Sequence, residues 1–131
     1  MLDTDICIFY FKGRYNLEET ISVVGYENCF ISEITLAELL YGAECSERPD
    51  YHKAVVNTFA KEIQIIPIFP SIPSYPKEKA RLRKLGTLID DFDLLIGVTA
   101  IDNKCILVTN NSKYFKRLEG IIIEDWIKDE R

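Results

Sequence analysis

The sequence predicts an α/β fold in which helices are layered against a central, mostly parallel sheet. Short apolar runs that suit buried strands alternate along the chain with longer segments of helical character. Residues 105–108 are apolar throughout, which is typical of a strand buried on both faces of a parallel sheet. The chain has 131 residues, of which 47% are hydrophobic, so we expect one domain spanning 1–131.

The individual elements follow from hydrophobic periodicity and from the residues that interrupt it. Strands are predicted at residues 1–2, 29–31, 65–69, 105–108 and 121–123. Helices are predicted at residues 6–11, 17–24, 34–43, 51–63, 77–85, 94–101 and, as a short helical segment, 111–118. Gly13 interrupts the first helix, and Gly86 gives a C-terminal stop signal after the fifth.

Prolines recur every third residue at positions 67, 70, 73 and 76. This spacing is compatible with a polyproline II ligand for a partner protein. The favoured interpretation is a rigid surface connection between a strand and a helix.

Composition limits the classes of function. The net charge is −5, which argues against tight, purely electrostatic nucleic-acid binding. It does not exclude a nucleic-acid enzyme, because clustered carboxylates lower the net charge and can be offset by bound cations. No apolar run is long enough to span a membrane, and the N-terminus lacks the pattern of a secretory signal.

The cysteines do not form a metal-binding or disulfide pattern. The four residues are far apart in sequence, and His52 is the single histidine in the chain. They make a poor zinc set, and we expect reduced, mostly buried thiols in a cytoplasmic protein.

Three aspartates, Asp90, Asp91 and Asp93, precede an apolar segment in the stretch IDDFDLLIGV. On a helix, Asp93 would share its face with the apolar and small residues three, four and seven positions later. A carboxylate buried there is costly unless it is paired or bound to a metal, so Asp93 is predicted to belong to a site. Asp90 and Asp91 suit the N-terminus of the helix, where the macrodipole stabilises negative charge.

Asp3 and Glu38 each have two interpretations. Asp3 follows the first strand, so it could cap the next helix or bind a ligand at the carboxyl edge of the sheet. Glu38 completes a capping box with Thr35, but if Ser32 is the N-cap, Glu38 lies well inside the helix. Three carboxylates from distant segments would suit Mg²⁺ or Mn²⁺, which prefer oxygen ligands and can activate water beside a phosphoryl group.

Four stretches together resemble PIN-domain ribonucleases, specifically the VapC-type toxins of bacterial toxin–antitoxin modules. They are MLDTDICIFYFKG, ISEITLAELLYGAE, GTLIDDFDLLIGVTA and ILVTNNSKYFKRLEGIIIEDW, in the order of the family. The resemblance spans essentially the whole chain. It implies a PIN-like three-layer α/β/α domain and a metal-dependent endoribonuclease that acts as the toxin of a type II toxin–antitoxin system.

The resemblance also implies roles for particular residues. Asp3, Glu38 and Asp93 match the acids that hold Mg²⁺ or Mn²⁺ and hydrolyse RNA, and Thr109 matches the threonine that orders the acidic site. The implied partners are a VapB-type antitoxin that occludes the site, an RNA substrate and a second copy of the chain in a homodimer.

The sequence departs from the family pattern at two positions. Asp5 stands where asparagine is commoner, and Tyr114 stands where many members have a fourth acid. Asn111 or Asp91 could partly replace that acid. The departure at Tyr114 keeps open a catalytically degenerate PIN-like binding module.

A haloacid-dehalogenase-like phosphatase is a further alternative. Asp3 and Asp5 form a D-x-D pattern after a strand, in which the first aspartate would be the nucleophile. That alternative leaves Glu38 unexplained.

Two groups of basic residues could contact RNA phosphates. Lys113, Lys116 and Arg117 lie beside the last family motif, where RNA contact and a solvated surface are equally good interpretations. The basic segment 77–84 is more typical of a solvated helix face.

Overall fold

A computed structural model describes residues 1–127, and the predicted domain end at residue 131 lies outside this range. The strands are β1 (Phe30–Ser32), β2 (Gln64–Ile66), β3 (Leu107–Val108) and β4 (Ile123–Glu124). The α-helices are α1 (Thr4–Phe11), α2 (Leu17–Val24), α3 (Glu33–Glu44), α4 (Pro49–Glu62), α5 (Ser74–Leu85), α6 (Asp91–Asp102) and α7 (Ser112–Phe115). None of these helices is long and apolar enough to cross a membrane.

The first residues of the chain form the centre of the sheet. Strands β1 and β2 pair in parallel, as do β3 and β4. The Leu2 backbone N–H donates to the Phe30 carbonyl at 2.7 Å, and the Val108 N–H donates to the Met1 carbonyl at 2.8 Å. Leu2 also bridges Val108 in parallel. The order across the sheet is therefore β2, β1, the segment 1–3, β3, β4, and the predicted parallel sheet is confirmed.

Two hydrophobic cores lie on opposite faces of this sheet, because successive residues of a strand point to opposite faces. One core contains Leu2 and Val108 together with buried residues of α1, α2, α3 and α4. The other contains their neighbours Met1 and Leu107 together with buried residues of α5, α6 and α7. This arrangement confirms the three-layer α/β/α architecture.

The ends of several elements differ from the prediction. The strand predicted at 65–69 is wrong beyond Ile66, since a 3-10 turn follows at Phe69–Ser71. The Ile68 N–H donates at 2.8 Å to the Glu33 carboxylate on α3, so it pairs with a side chain instead of continuing the ladder. The last strand lies at Ile123–Glu124 instead of 121–123.

The proline-rich connection does not form polyproline II, and that alternative is wrong. Ile68, Ile72 and Pro73 all have backbone angles near the helical region, with ψ of −21°, −41° and −29°. Helix α5 begins at Ser74, three residues earlier than predicted, and includes Pro76 in its first turn. Proline is tolerated there because the first N–H groups of a helix have no intrahelical partner.

The cysteines are all free thiols. Cys7 and Cys29 are buried, and burial raises the pKa of both. The expectation of mostly buried thiols is wrong for Cys45, which is exposed, and Cys105 is half-buried. Cys45 lies at the C-terminal end of α3, where the chain leaves the packed helix surface.

Candidate active site

Asp3 lies at the end of the central segment of the sheet, and its side chain is 3% exposed. One carboxylate oxygen accepts the Thr4 backbone N–H at 2.8 Å, and the other accepts the Thr109 hydroxyl at 2.8 Å. Burial raises the pKa of Asp3 to about 6, even though both hydrogen bonds favour the ionised form. Asp3 is thus the N-cap of α1 and also a buried carboxylate beside β3.

Glu38 lies inside α3, and the capping-box interpretation is wrong. Ser32 is the N-cap of α3, where its hydroxyl accepts the Ile34 N–H at 3.0 Å. Glu38 instead accepts a hydrogen bond at 2.7 Å from the Thr4 hydroxyl at the start of α1. Packing of α1 against α3 therefore brings Glu38 close to the residue that follows Asp3.

Asp93 lies in the first turn of α6, just after the N-cap Asp90, whose side chain accepts a backbone N–H at 3.2 Å as predicted. Burial, followed by the negative charges of Asp3, Asp90, Glu38 and Asp5, raises the pKa of Asp93 to about 7. The structure therefore brings the carboxylates of Asp3 before α1, Glu38 in α3 and Asp93 in α6 close together.

This group has no basic partner among residues 1–127. Within that range, no lysine, arginine or histidine forms an ion pair with Asp3, Glu38 or Asp93. In the same range, no three acidic, cysteine or histidine side chains are already arranged around one point as metal ligands. The chemistry of the donor set, three carboxylates near one another without a cation, nevertheless fits a hard divalent ion.

Thr109, Asn111 and Asp5 are linked at the edge of the acidic group. The Thr109 hydroxyl accepts the Asn111 N–H at 2.9 Å while it donates to Asp3. The Asn111 side-chain amide donates to Asp5 at 3.3 Å. Asn111 thus connects the loop after β3 with the first turn of α1.

Asp91 is held elsewhere, by residues of α5. Its carboxylate accepts hydrogen bonds from Lys79 at 2.8 Å and from the Tyr75 hydroxyl at 2.7 Å. The hydrogen bond from Lys79, followed by that from Tyr75, lowers the pKa of Asp91. Asp91 therefore joins α6 to α5, and we do not include it among the metal ligands.

The basic residues after β3 differ in their surroundings. Lys113 and Lys116 are exposed, whereas Arg117 is half-buried and donates to the Leu88 carbonyl at 3.0 Å. The Arg117 guanidinium also lies 5.2 Å from the centre of the Tyr114 ring. The Lys113 ammonium lies 5.8 Å from the centre of the same ring, so Arg117 is distinguished by its bond to Leu88 and its partial burial, and both lysines are exposed to solvent.

In the other basic group, Lys79 and Arg81 form ion pairs. Arg81 binds both oxygens of Glu78, at 2.6 and 2.9 Å, and Lys79 binds Asp91. These pairs support the interpretation of residues 77–84 as a helix surface.

Thr35 is a polar neighbour of the site that the sequence did not indicate. It is fully buried on α3, and its hydroxyl oxygen lies 3.1 Å from that of Thr4. The one available signal was its position three residues before Glu38, which places both on one face of the helix.

The fold is that of a PIN domain. The PIN domain family matches residues 1–121, and the chain therefore belongs to that family. Membership in it does not support the phosphatase alternative.

The relatives are VapC proteins. The chain is 35% identical over 128 residues to the tRNA(fMet)-specific endonuclease VapC of Shigella flexneri, covering 96% of both chains. It is 34% identical to ribonuclease VapC2 of Rickettsia felis, covering 98% of both. Among solved structures, it is similar to VapBC from Salmonella typhimurium bound to DNA, with a TM-score of 0.88, 35% identity and 96% of both chains covered. VapBC2 from Rickettsia felis, also bound to DNA, has a TM-score of 0.88, 32% identity, and 96% and 97% coverage.

Proposed function

We propose that the chain is a VapC-type endoribonuclease that depends on Mg²⁺ or Mn²⁺ and acts in the cytoplasm as the toxin of a type II toxin–antitoxin system. The observation that carries this proposal is the group of Asp3, Glu38 and Asp93, whose carboxylates lie close together and lack a basic partner among residues 1–127. Carboxylates in such a setting are stabilised by a bound cation.

In this proposal the three carboxylates hold the divalent ion. When bound, the ion would activate water and offset negative charge on the phosphoryl group. Thr109 and the Thr4 N–H each hold one oxygen of Asp3, and the Thr4 hydroxyl holds one oxygen of Glu38. Each carboxylate oxygen keeps lone pairs for an ion, because an ionised carboxylate can accept about four hydrogen bonds or ligands.

The substrate would be a structured RNA. The relatives from Shigella and Salmonella are named for tRNA(fMet), which is therefore the first RNA to test. The exposed Lys113 and Lys116 are suited to contact phosphates beside the acidic group, and Arg117 would support the loop that carries them.

The test is cleavage of tRNA(fMet) and of total RNA by antitoxin-free protein, with Mg²⁺ or Mn²⁺ and with EDTA, and in parallel by Glu38→Gln. Metal-dependent cleavage that is lost in Glu38→Gln supports the nuclease. A folded protein that cleaves neither RNA under any of these conditions favours the degenerate binding module, for which Tyr114 in the place of the usual acid is the motivating observation.

The proposed protein partner is a VapB-type antitoxin. The similar structures from Salmonella and Rickettsia are VapBC assemblies. In this chain a groove of about 410 Å³ lies between α1, α3 and α4, and its lining residues include Glu38, Ile8, Phe11 and Val55. An apolar antitoxin segment in this groove would end beside the acidic group. The homodimer stays a prediction, which sedimentation of the purified toxin would test.

A further inference from the structure

Thr4 contacts two polar side chains with a hydroxyl that carries one proton. Its oxygen lies 2.7 Å from a carboxylate oxygen of Glu38 and 3.1 Å from the hydroxyl oxygen of Thr35. A hydroxyl donates one hydrogen bond and accepts two. The Thr4 hydroxyl is the donor in both contacts, and its one proton is directed mainly to Glu38, the nearer acceptor. The Thr35 hydroxyl oxygen lies against the same Thr4 oxygen on the side away from solvent.

Thr35 lies in the first turn of α3, where its hydroxyl makes no hydrogen bond to a backbone carbonyl among the described residues, unlike the hydroxyl of a threonine further inside a helix. Such a hydroxyl usually donates to the carbonyl four residues earlier, as Thr99 does on α6, where it lies 2.7 Å from the Leu95 carbonyl. Among residues 1–127, Thr4 is the hydrogen-bond partner of the Thr35 hydroxyl. Both threonines, Thr35 and Thr99, are 0% exposed, so water does not replace the partner of either.

We propose that Thr35 is a positioning residue of the acidic site. Its buried hydroxyl holds the Thr4 hydroxyl in place beside Glu38, and Thr4 in turn fixes the orientation of the Glu38 carboxylate for a divalent ion. The inference rests on the proposed function, because it assumes that Glu38 is a metal ligand. Partners behind a metal ligand commonly change metal affinity about 10- to 100-fold when they are removed, and a neutral hydroxyl one residue further back is expected to have a smaller effect.

The test compares Thr35→Val with Thr99→Val. Both substitutions replace a fully buried helical hydroxyl with a methyl group of similar shape, but Thr99 bonds to its own helix instead of to the site. Thr35→Ser keeps the hydroxyl and serves as the rescue variant. The primary measurement is binding of Mn²⁺ alone to the antitoxin-free full chain, followed by the electron paramagnetic resonance of free Mn²⁺. Cleavage of tRNA(fMet) as a function of Mn²⁺ concentration is the second.

We expect Thr35→Val to weaken Mn²⁺ binding about 5-fold and to raise the Mn²⁺ concentration for half-maximal cleavage by a similar factor. Thr35→Ser and Thr99→Val should both stay within about 2-fold of the original protein in Mn²⁺ affinity. If Thr35→Val does not fold, Thr35→Ala is compared with Thr99→Ala, since each removes both the hydroxyl and the methyl group of a buried threonine.

The inference is overturned if Thr35→Val binds Mn²⁺ as the original protein does, or if Thr99→Val weakens binding equally. Failure of the proposed function is a separate outcome. A chain that binds Mn²⁺ in a Thr35-dependent way but cleaves no RNA would retain the positioning role and lose the nuclease. A chain that binds no Mn²⁺ would lose both.

Discussion

Two aspartates in the first turn of α6, separated by one residue, have opposite surroundings. Asp91 is exposed and accepts hydrogen bonds from Lys79 and Tyr75, which lower its pKa. Asp93 is half-buried near Asp3 and Glu38, and its pKa is raised to about 7. The difference shows that the helix N-terminus does not by itself determine the ionisation of these groups, since both lie within the same turn.

The comparison identifies which acids are available to a ligand. Asp91 has a cationic partner within the protein, so its charge is balanced where it stands. Asp93, Asp3 and Glu38 repel one another and have no basic partner among residues 1–127. A cation from solution would therefore gain more from the second set than from the first.

The largest expected effect is on RNA cleavage. Asp93→Asn should lower cleavage by roughly 100-fold or more, because it removes a charge from the proposed ligand set. Asp91→Asn is the matched control, since it makes the same change two positions earlier, and it should lower cleavage by less than about 3-fold. Initial rates on tRNA(fMet) at saturating Mn²⁺ would measure both. Equal losses of cleavage in the two variants would contradict the conclusion that Asp93, but not Asp91, is available to a metal ion.

The next largest effect is on stability, through the packing of α6 against Leu118. A Cβ added at Gly97 would overlap Cδ1 of the buried Leu118, so Gly97→Ala should destabilise the protein by about 1–3 kcal/mol. Gly42→Ala is the control: a Cβ at this position in α3 has no atom within 4 Å, and alanine should stabilise that helix by up to about 1 kcal/mol. Urea denaturation of the antitoxin-free protein measures both. A neutral Gly97→Ala would show that Leu118 can move aside.

The raised pKa values of Asp3 and Asp93 should also make the stability of the protein depend on pH. In EDTA, the raised pKa values of Asp3, about 6, and of Asp93, about 7, mean that the folded chain keeps protons that the unfolded chain releases near pH 3.8. Their stabilising contribution is complete below about pH 4 and is lost as the pH rises through 6 and 7. The free energy of unfolding should therefore be lower at pH 8 than at pH 5, by an amount on the order of a few kcal/mol.

Asp93→Asn isolates the share of Asp93 in that dependence. The difference in unfolding free energy between pH 5 and pH 8 should shrink in this variant, and urea denaturation at the two pH values measures it. Mn²⁺ should stabilise the original protein more at pH 8, where the carboxylates are ionised. A pH difference that is unchanged in Asp93→Asn would rule out the raised pKa of this residue.

The smallest effect on stability and cleavage is expected at the ion pair between Lys79 and Asp91. Lys79→Met removes the cation beside Asp91, but both side chains are exposed, and such pairs contribute little. The thermal midpoint should change by less than about 2 °C, and RNA cleavage should stay within about 2-fold. A large loss of cleavage would indicate that the α5 contact positions the first turn of α6, and with it Asp93.

The order of the elements could be predicted from the sequence, but several of their ends could not. Strands β1 and β3 were predicted from apolar runs, because a strand that is buried on both faces of a parallel sheet is apolar throughout. The end of β2 is set by Glu33, which binds the Ile68 N–H from another helix, and no local pattern reports such a contact. The same holds for α5, whose early start depends on helical backbone angles at residues 72 and 73.

The site was predictable to a similar degree. Burial pattern alone selected Asp93, while Asp3 and Glu38 needed the family resemblance to decide between a cap and a ligand. For Asp3, being a helix cap does not preclude binding a ligand. In the structure it caps α1 and is also a buried carboxylate beside Thr109. Thr35 was missed as a neighbour of the site because its contact with Thr4 depends on how α1 packs against α3.

The position of Leu2 between β1 and β3 has a consequence for synthesis on the ribosome. The central segment of the sheet is made first, but its partner Val108 and the hydroxyl of Thr109 that holds Asp3 are made more than a hundred residues later. A nascent chain that ends before β3 contains Asp3, Glu38 and Asp93 but lacks the strand that completes the centre of the sheet. Since such long-range pairings form late, we expect the acidic group to assemble only when translation is nearly finished.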